Sequence, residues 1–173
     1  MSLFPTVRAS SAYDIDYKKL YEAGIRGIIF DIDNTLVPHD APADEKAMLL
    51  IKKIHDEGIK TYILSNNGEG RVKSFADAVG SDYIFKAHKP EKGGFIECMK
   101  RMGSDENSTV LIGDQLFTDV LGASNAGIRS ILVKRINFHE RYYIHLKRVL
   151  EYIILAVYFF IPKRGNEDLR SCC

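Results

Sequence analysis

Five short apolar runs alternate with helical patterns along this chain, and the alternation constrains the fold more than any other sequence feature. The runs lie at residues 27–30, 60–64, 83–85, 109–112 and 130–133. Strands that alternate with helices form a parallel sheet through right-handed crossovers, with helices on both faces. The sequence therefore predicts an α/β fold with a three-layer Rossmann-like core around a five-stranded parallel sheet.

The segments between these runs carry apolar residues at helical spacing. They predict helices at residues 13–23, 44–57, 69–79, 92–102 and 117–126. In the fourth helix, Phe95, Ile96, Met99 and Met102 form one stripe, which we interpret as core rather than as a cofactor site. Residues 1–24 begin irregularly and are expected to pack against an edge of the sheet.

Length and charge limit the classes of function. A chain of 173 residues suffices for one substantial domain, which we divide into a core with its lead-in (1–137) and a C-terminal helical extension (138–173). Its 24 Lys and Arg against 23 Asp and Glu give no basic excess, so no nucleic-acid partner is expected. Three cysteines without metal-ligand spacing indicate a reduced protein of the cytoplasm or an organelle matrix.

Polar residues follow four of the predicted strands. They are Asp31 and Asp33, Ser65 and Asn66, Lys89, and Asp114 with Asp119. The carboxyl ends of parallel strands meet at one edge of a sheet, so these side chains are expected to converge there. Carboxylates, a hydroxyl and an ammonium group are the set that phosphoryl transfer requires.

Each of these residues also has a simpler interpretation. The Asp31 and Asp33 pair could be an ordinary acidic turn, and Ser65 could cap the following helix. Lys89 could be a solvated surface lysine, and Asp119 could lie near a helix N-terminus because the helix dipole favours it there.

The run from Asp31 to Thr35, Ser65, Lys89 and the run from Gly113 to Asp119 resemble, in order and spacing, the four motifs of haloacid-dehalogenase (HAD) phosphatases. The resemblance covers roughly residues 20 to 135. It implies that Asp31 attacks phosphorus and forms an aspartyl-phosphate, and that Asp33 acts as the general acid and base.

The same resemblance implies the binding groups of the site. Ser65, the amide of Asn66 and Lys89 would bind the phosphoryl oxygens. Mg²⁺ would be held by Asp31, by the backbone carbonyl of Asp33 and by Asp114, because this hard cation prefers oxygen ligands. Asp119 would lie behind these ligands or reach the metal through water.

Neither gap between the first three motifs is long enough for a cap domain, so the site is expected to be open. Residues 153–161 form an apolar run flanked by cations, shorter than the ~20 residues that cross a bilayer. The segment from Tyr142 to Ile161 could contact a membrane surface or a partner, including a second copy of the chain; the alternative is a final helix packed on the sheet.

The compact capless form resembles YqeG-type subclass III proteins, which are similar to mitochondrial-type phosphatidylglycerophosphate phosphatases. The resemblance rests on the motif residues 31–37, 65–67 and 87–90 and on the lead-in at 13–15. It implies hydrolysis of phosphatidylglycerophosphate or another large or membrane-associated phosphate ester by a peripheral membrane protein. Two alternatives remain at this stage. One is a HAD phosphatase of a soluble metabolite whose cap comes from an oligomer, and the other is a receiver-like domain that stores a phosphoryl group.

Overall fold

One six-stranded parallel sheet organises the protein in the computed structural model, which describes residues 3–136 and 167–173. In chain order the strands are β1 (Val7–Ala9), β2 (Gly27–Phe30), β3 (Lys60–Leu64), β4 (Asp82–Ile84), β5 (Thr109–Gly113) and β6 (Arg129–Val133). Across the sheet they are ordered β1-β6-β5-β2-β3-β4, and every pair is parallel. The predicted α/β fold is confirmed, with one strand more than expected.

The additional strand is β1, which lies in the lead-in segment. Val7 and Ala9 pair with Ile131 and Val133 of β6, at the sheet edge that the lead-in was expected to cover. Only three residues form this strand, and Arg8 between its two buried residues is exposed. Such a short alternating segment produces no apolar run, so the sequence pattern did not reveal it.

The helices connect the strands as predicted, with two differences at their ends. They are α1 (Tyr17–Glu22), α2 (Glu45–Asp56), α3 (Glu69–Val79), α4 (Gly93–Met102) and α5 (Leu121–Asn125). A further short helix, α6 (Glu167–Arg170), follows the last strand. The predicted first helix is divided, because a 3-10 turn at Ala12–Asp14 precedes α1 and Asp16 caps α1 by accepting from Lys19 N at 3.1 Å. The predicted helix at 117–126 begins instead as a π-helical turn, Leu116–Val120.

The core lies on both faces of the sheet, because successive strand residues face opposite sides. Ile28 and Phe30 of β2 belong to the larger cluster, whereas Ile29 packs with α4 and α5 on the other face. The predicted stripe of α4 was wrong at Ile96, which is 46% exposed. Its place is taken by Cys98, so that the buried residues are Phe95, Cys98, Met99 and Met102.

No cap domain is inserted within residues 3–136, since one loop and α2 connect β2 to β3 and only α3 connects β3 to β4. None of the helices described is long and apolar enough to cross a membrane. The chain end packs on α1: Leu169 is buried, and Asp16 N donates to Cys172 O at 2.8 Å. The predicted contact segment, Tyr142 to Ile161, lies outside the described residues.

Candidate active site

Asp31 and Asp33 lie at the carboxyl end of the central strand β2. Asp31 N donates to Ile112 O of β5 at 3.1 Å, so Asp31 continues the strand direction. The chain then turns, with Asn34 in the left-handed region at φ 62° and the amides of Thr35 and Leu36 bonded to Ile32 O. Asn tolerates this conformation better than most residues, which explains a tight turn directly after the strand.

Lys89 joins two carboxylates in the buried part of the site. Its Nζ lies 2.6 Å from Asp31 Oδ1 and 2.7 Å from Asp119 Oδ1, and all three side chains are buried. The side chain of Asn66 positions the Lys89 backbone, because Oδ1 accepts from Lys89 N at 2.7 Å and Nδ2 donates to Lys89 O at 3.2 Å. The loops after β3 and β4 are thereby linked to the end of β2.

Burial and mutual repulsion act on the acids of this cluster. Burial raises the pKa of Asp31 to about 7. The nearby Lys89 ammonium acts to lower this pKa, whereas the Asp119 carboxylate acts to raise it. Burial also raises the pKa of Asp114 well above its usual range, with contributions from Asp119 and Asp31, although Arg135 opposes the shift. Burial alone would lower the pKa of Lys89, but attraction to Asp119 and Asp31 outweighs it and raises that pKa.

The carboxylate set fits a divalent cation. Oxygens of Asp31, Asp114 and Asp119 lie within 4.8 Å of one another. Asp114 Oδ2 accepts from Arg135 Nε at 3.1 Å, whereas Asp114 Oδ1 is buried and has no hydrogen-bond partner among the described residues. Both oxygens of Asp119 are already used, by Lys89 Nζ and by Gln115 N at 3.1 Å. Asp31 and Asp114 are therefore the pair with oxygen available for a metal.

The Asp33 side chain faces a different set of partners. Its Oδ1 accepts from Asp40 N and from Arg71 Nη2, each at 2.9 Å, and its Oδ2 accepts from Asn67 Nδ2. Its side chain is thus outside the metal-ligand cluster, and the metal contact predicted for Asp33 was through the backbone carbonyl.

Ser65 is buried at the end of β3. Its Oγ accepts from Asn67 N at 3.2 Å, and its backbone continues the pairing with the β4 side through Ile84 O and Ala87 N. This hydroxyl can still donate to a phosphoryl oxygen, because a Ser hydroxyl carries one donor and two acceptor positions.

Three site residues were missed by the sequence analysis: Asn67, Arg71 and Arg135. Arg135 follows β6 closely, so the rule that polar residues at strand ends converge could have found it if it had been applied to the fifth run. Arg71 lies within α3 and reaches Asp33 only through the way α3 packs on the sheet, which no local pattern indicates.

A parallel sheet with acids, a lysine and a hydroxyl gathered at one edge can serve phosphoryl transfer. A family model described as HAD-hydrolase-like matches residues 86–148. The Bacillus subtilis protein named probable phosphatase YqeG is 37% identical over 163 residues, which cover 94% of this chain and 93% of that protein. The chain therefore belongs to the HAD phosphatases, in the branch of YqeG. Membership in this family excludes the interpretation as a receiver-like domain.

More distant relatives carry more specific names. Phosphatidylglycerophosphate phosphatase 1 of Arabidopsis thaliana is 23% identical over 157 residues, 82% of this chain and 44% of that protein. Among solved structures, a Listeria monocytogenes protein has a TM-score of 0.54 and 18% identity over 76% of this chain and 99% of its own. The cobalt-bound deoxy-D-mannose-octulosonate 8-phosphate phosphatase of Haemophilus influenzae has a TM-score of 0.53 and 20% identity, covering 80% of this chain and 90% of its own. These two likenesses support the fold.

Proposed function

We propose that this phosphatase hydrolyses phosphomonoesters with Mg²⁺ through an aspartyl-phosphate on Asp31. The observation that carries the proposal is the buried contact of 2.6 Å between Asp31 Oδ1 and Lys89 Nζ, beside an Asp114 oxygen that lacks a hydrogen-bond partner. The contact orients one carboxylate and places a cation where a phosphoryl group would gain charge.

The chain's own groups account for both halves of the reaction. Asp31 attacks phosphorus, the bond from phosphorus to the leaving oxygen breaks, and Asp33 gives that oxygen its proton. Asp33 then takes a proton from a water molecule that attacks the aspartyl-phosphate, which releases inorganic phosphate and restores Asp31.

The remaining groups bind and orient. The phosphoryl oxygens are bound by Lys89, by Ser65 Oγ and by the backbone amide of Asn66. Asp119 holds Lys89 in position. Asp31, the Asp33 carbonyl and Asp114 would hold Mg²⁺, which when bound offsets negative charge on the phosphoryl group.

For the substrate, we propose phosphatidylglycerophosphate or another large or membrane-associated phosphate ester. The absence of a cap within residues 3–136 supports it, because an open site admits a bulky ester. The names of the Arabidopsis relative and of a 24% identical Chlamydomonas reinhardtii relative, also a phosphatidylglycerophosphate phosphatase 1, support it too. The apolar segment from Tyr142 to Ile161 would hold the enzyme at the lipid surface.

A substrate panel tests this proposal. Phosphate release is measured with Mg²⁺ from phosphatidylglycerophosphate in mixed micelles and from sugar, nucleotide and peptide phosphates. We expect the lipid to give the highest kcat/KM. A preference for a soluble metabolite would contradict the lipid proposal and favour the second candidate, an enzyme whose cap comes from an oligomer.

Membrane contact is tested separately by co-sedimentation with anionic liposomes. The full chain is compared with a chain that ends after Arg141, and we expect only the full chain to sediment. Absence of binding by both would contradict the membrane role, whatever the panel shows.

A further inference from the structure

Arg71 is a cation of the site that has no role in the proposed mechanism. It lies in α3, its side chain is 20% exposed, and its Nη2 donates to Asp33 Oδ1 at 2.9 Å. Its Nε is buried without a hydrogen-bond partner among the described residues, and the guanidinium lies 5.6 Å from the centre of the Phe75 ring. Arg71 is thus a partly buried guanidinium at the edge of the site, with a donor that no described residue accepts from.

The position of Arg71 determines which part of a substrate it can reach. A general acid must come within hydrogen-bond distance of the leaving oxygen, so the leaving group lies next to Asp33. Arg71 bonds the same carboxylate, whereas Lys89 bonds Asp31 and Asp119. Arg71 is therefore on the leaving-group side of the site and Lys89 on the phosphoryl side.

We propose that Arg71 recognises a second anionic group, of the phosphodiester or phosphate class, carried by the leaving group. The inference rests on the proposed function, because it assumes that Asp33 protonates the leaving oxygen. Guanidinium binds phosphate oxygens through paired hydrogen bonds, and the unused donors of Arg71 allow this.

The contacts of Asp33 permit Arg71 to turn towards a substrate. Asp33 also accepts from Asp40 N and Asn67 Nδ2, so it keeps two donors when Arg71 leaves. No carboxylate other than Asp33 forms an ion pair with Arg71 within the described part of the chain. An anion on the substrate is consequently the group that can replace Asp33 as its partner.

Two substrates with the same leaving atom isolate this interaction. Glycerol 3-phosphate and the deacylated headgroup of phosphatidylglycerophosphate both release a primary alcohol, but only the headgroup carries a phosphodiester. We expect wild-type kcat/KM to favour the headgroup by about tenfold to a hundredfold, the size of one charge-assisted hydrogen bond. Arg71→Gln should bring this ratio close to one, and Arg71→Lys should restore part of it.

Lys73→Gln is the matched control, because Lys73 lies on the same helix but is exposed and pairs with Asp77. It should keep the wild-type ratio. A headgroup preference that Arg71→Gln retains would overturn the proposal. So would the absence of any preference in an enzyme that hydrolyses both esters, an outcome that leaves the proposed function standing. Failure to hydrolyse either ester would count against the proposed function instead.

Binding of the headgroup, measured by calorimetry, tests recognition by Arg71 without turnover. It compares Asp31→Asn with Asp31→Asn/Arg71→Gln, and we expect the second variant to bind about tenfold or more weakly. Equal dissociation constants would overturn the proposal. The kinetic comparison is then repeated with the intact lipid in micelles. If Arg71 recognises the headgroup, Arg71→Gln should lower kcat/KM by the same factor for the intact lipid and for the free headgroup. Attraction of Arg71 to the micelle surface would lower it for the intact lipid alone.

Discussion

At the scale of single residues, Lys89 determines the electrostatics of the site. Asp31 and Asp119 are both buried, and the Lys89 ammonium lies between their oxygens at 2.6 and 2.7 Å. Two buried carboxylates without a cation would repel each other and would both lose hydration. Lys89 therefore has a structural role in addition to the proposed phosphate contact.

Replacement of Lys89 by Met should reveal that structural role. The variant leaves two buried acids without their cation, and removing one partner of a buried ion pair costs about 3–5 kcal/mol. The measurement is the free energy of unfolding in urea at neutral pH without metal. Lys73→Met is the control, because its exposed pair with Asp77 should contribute less than about 1 kcal/mol. Similar losses in both variants would contradict the structural role of Lys89.

Asp33 gives a second prediction, which separates proton donation from other roles. Asp33→Asn should lower kcat/KM about 100- to 10,000-fold with an alkyl phosphate, because kcat/KM reports the step in which the leaving oxygen needs a proton. The loss should be smaller with an aryl phosphate, because an aryl oxide leaves without one. Asn retains the shape of Asp33 but replaces one of its two accepting oxygens by an NH2 donor. Because this change is the same for both substrates, the difference between their losses isolates proton donation. Equal losses with both substrates would argue against general-acid catalysis.

The sequence could predict the residues at the strand ends but not all of their contacts. Asp31, Ser65 and Asp114 follow strands directly, and parallel pairing alone brings such positions to one edge. Lys89 lies in the loop after β4. Arg71 is different because its approach to Asp33 depends on the packing of α3. Such long-range contacts have no local sequence pattern.

At the scale of elements, the π-helical turn Leu116–Val120 places Asp119 against the sheet. Asp119 is fully buried, and a Cβ at Gly113 would lie 2.5 Å from its Oδ2. Helical spacing predicted an ordinary helix here, since a π turn differs from an α turn by one residue and follows tertiary contacts. Gly122, at the start of α5, similarly permits close packing against Phe95 and Pro90.

Two glycine substitutions should change stability in opposite directions. In Gly122→Ala the new Cβ would lie 2.5 Å from Phe95 Cζ, and overpacking of this kind costs about 1–3 kcal/mol. In Gly70→Ala the Cβ of an exposed position in α3 meets nothing, so the higher helix propensity should add up to about 1 kcal/mol. Urea unfolding measures both, and a stabilised Gly122→Ala would contradict the packing described here.

At the scale of the whole molecule, one sheet carries all the strand-end groups to a single open edge. The strand order could be expected in outline, because alternation of strands and helices leaves few parallel arrangements. The sixth strand could not be predicted, because the short segment β1 becomes a strand only by pairing with β6. Of the acidic side chains that the described residues bring to this edge, Asp31 and Asp114 keep an oxygen available for a cation.

Metal binding should stabilise the whole domain, because a ligand that binds only the native state lowers its free energy. When free Mg²⁺ is 100 times its Kd, the gain is about 2.7 kcal/mol. We expect Mg²⁺ to raise the Tm of the metal-free protein and Asp114→Asn to remove most of that rise. Asp77→Asn, which changes an exposed acid paired with Lys73, should keep it. An unchanged rise in Asp114→Asn would exclude Asp114 as a ligand.

The central claim is that Asp31 becomes phosphorylated during turnover, and its most direct test is to trap that state. Protein mixed with Mg²⁺ and excess aryl phosphate, whose leaving oxygen needs no proton, is quenched in acid within the first turnovers, digested and examined by mass spectrometry. We predict one phosphoryl group on the peptide that contains Asp31, absent in Asp31→Asn and increased when Asp33→Asn slows hydrolysis of the intermediate. Full phosphatase activity in Asp31→Asn, or a phosphoryl group that persists on another residue in that variant, would contradict the account.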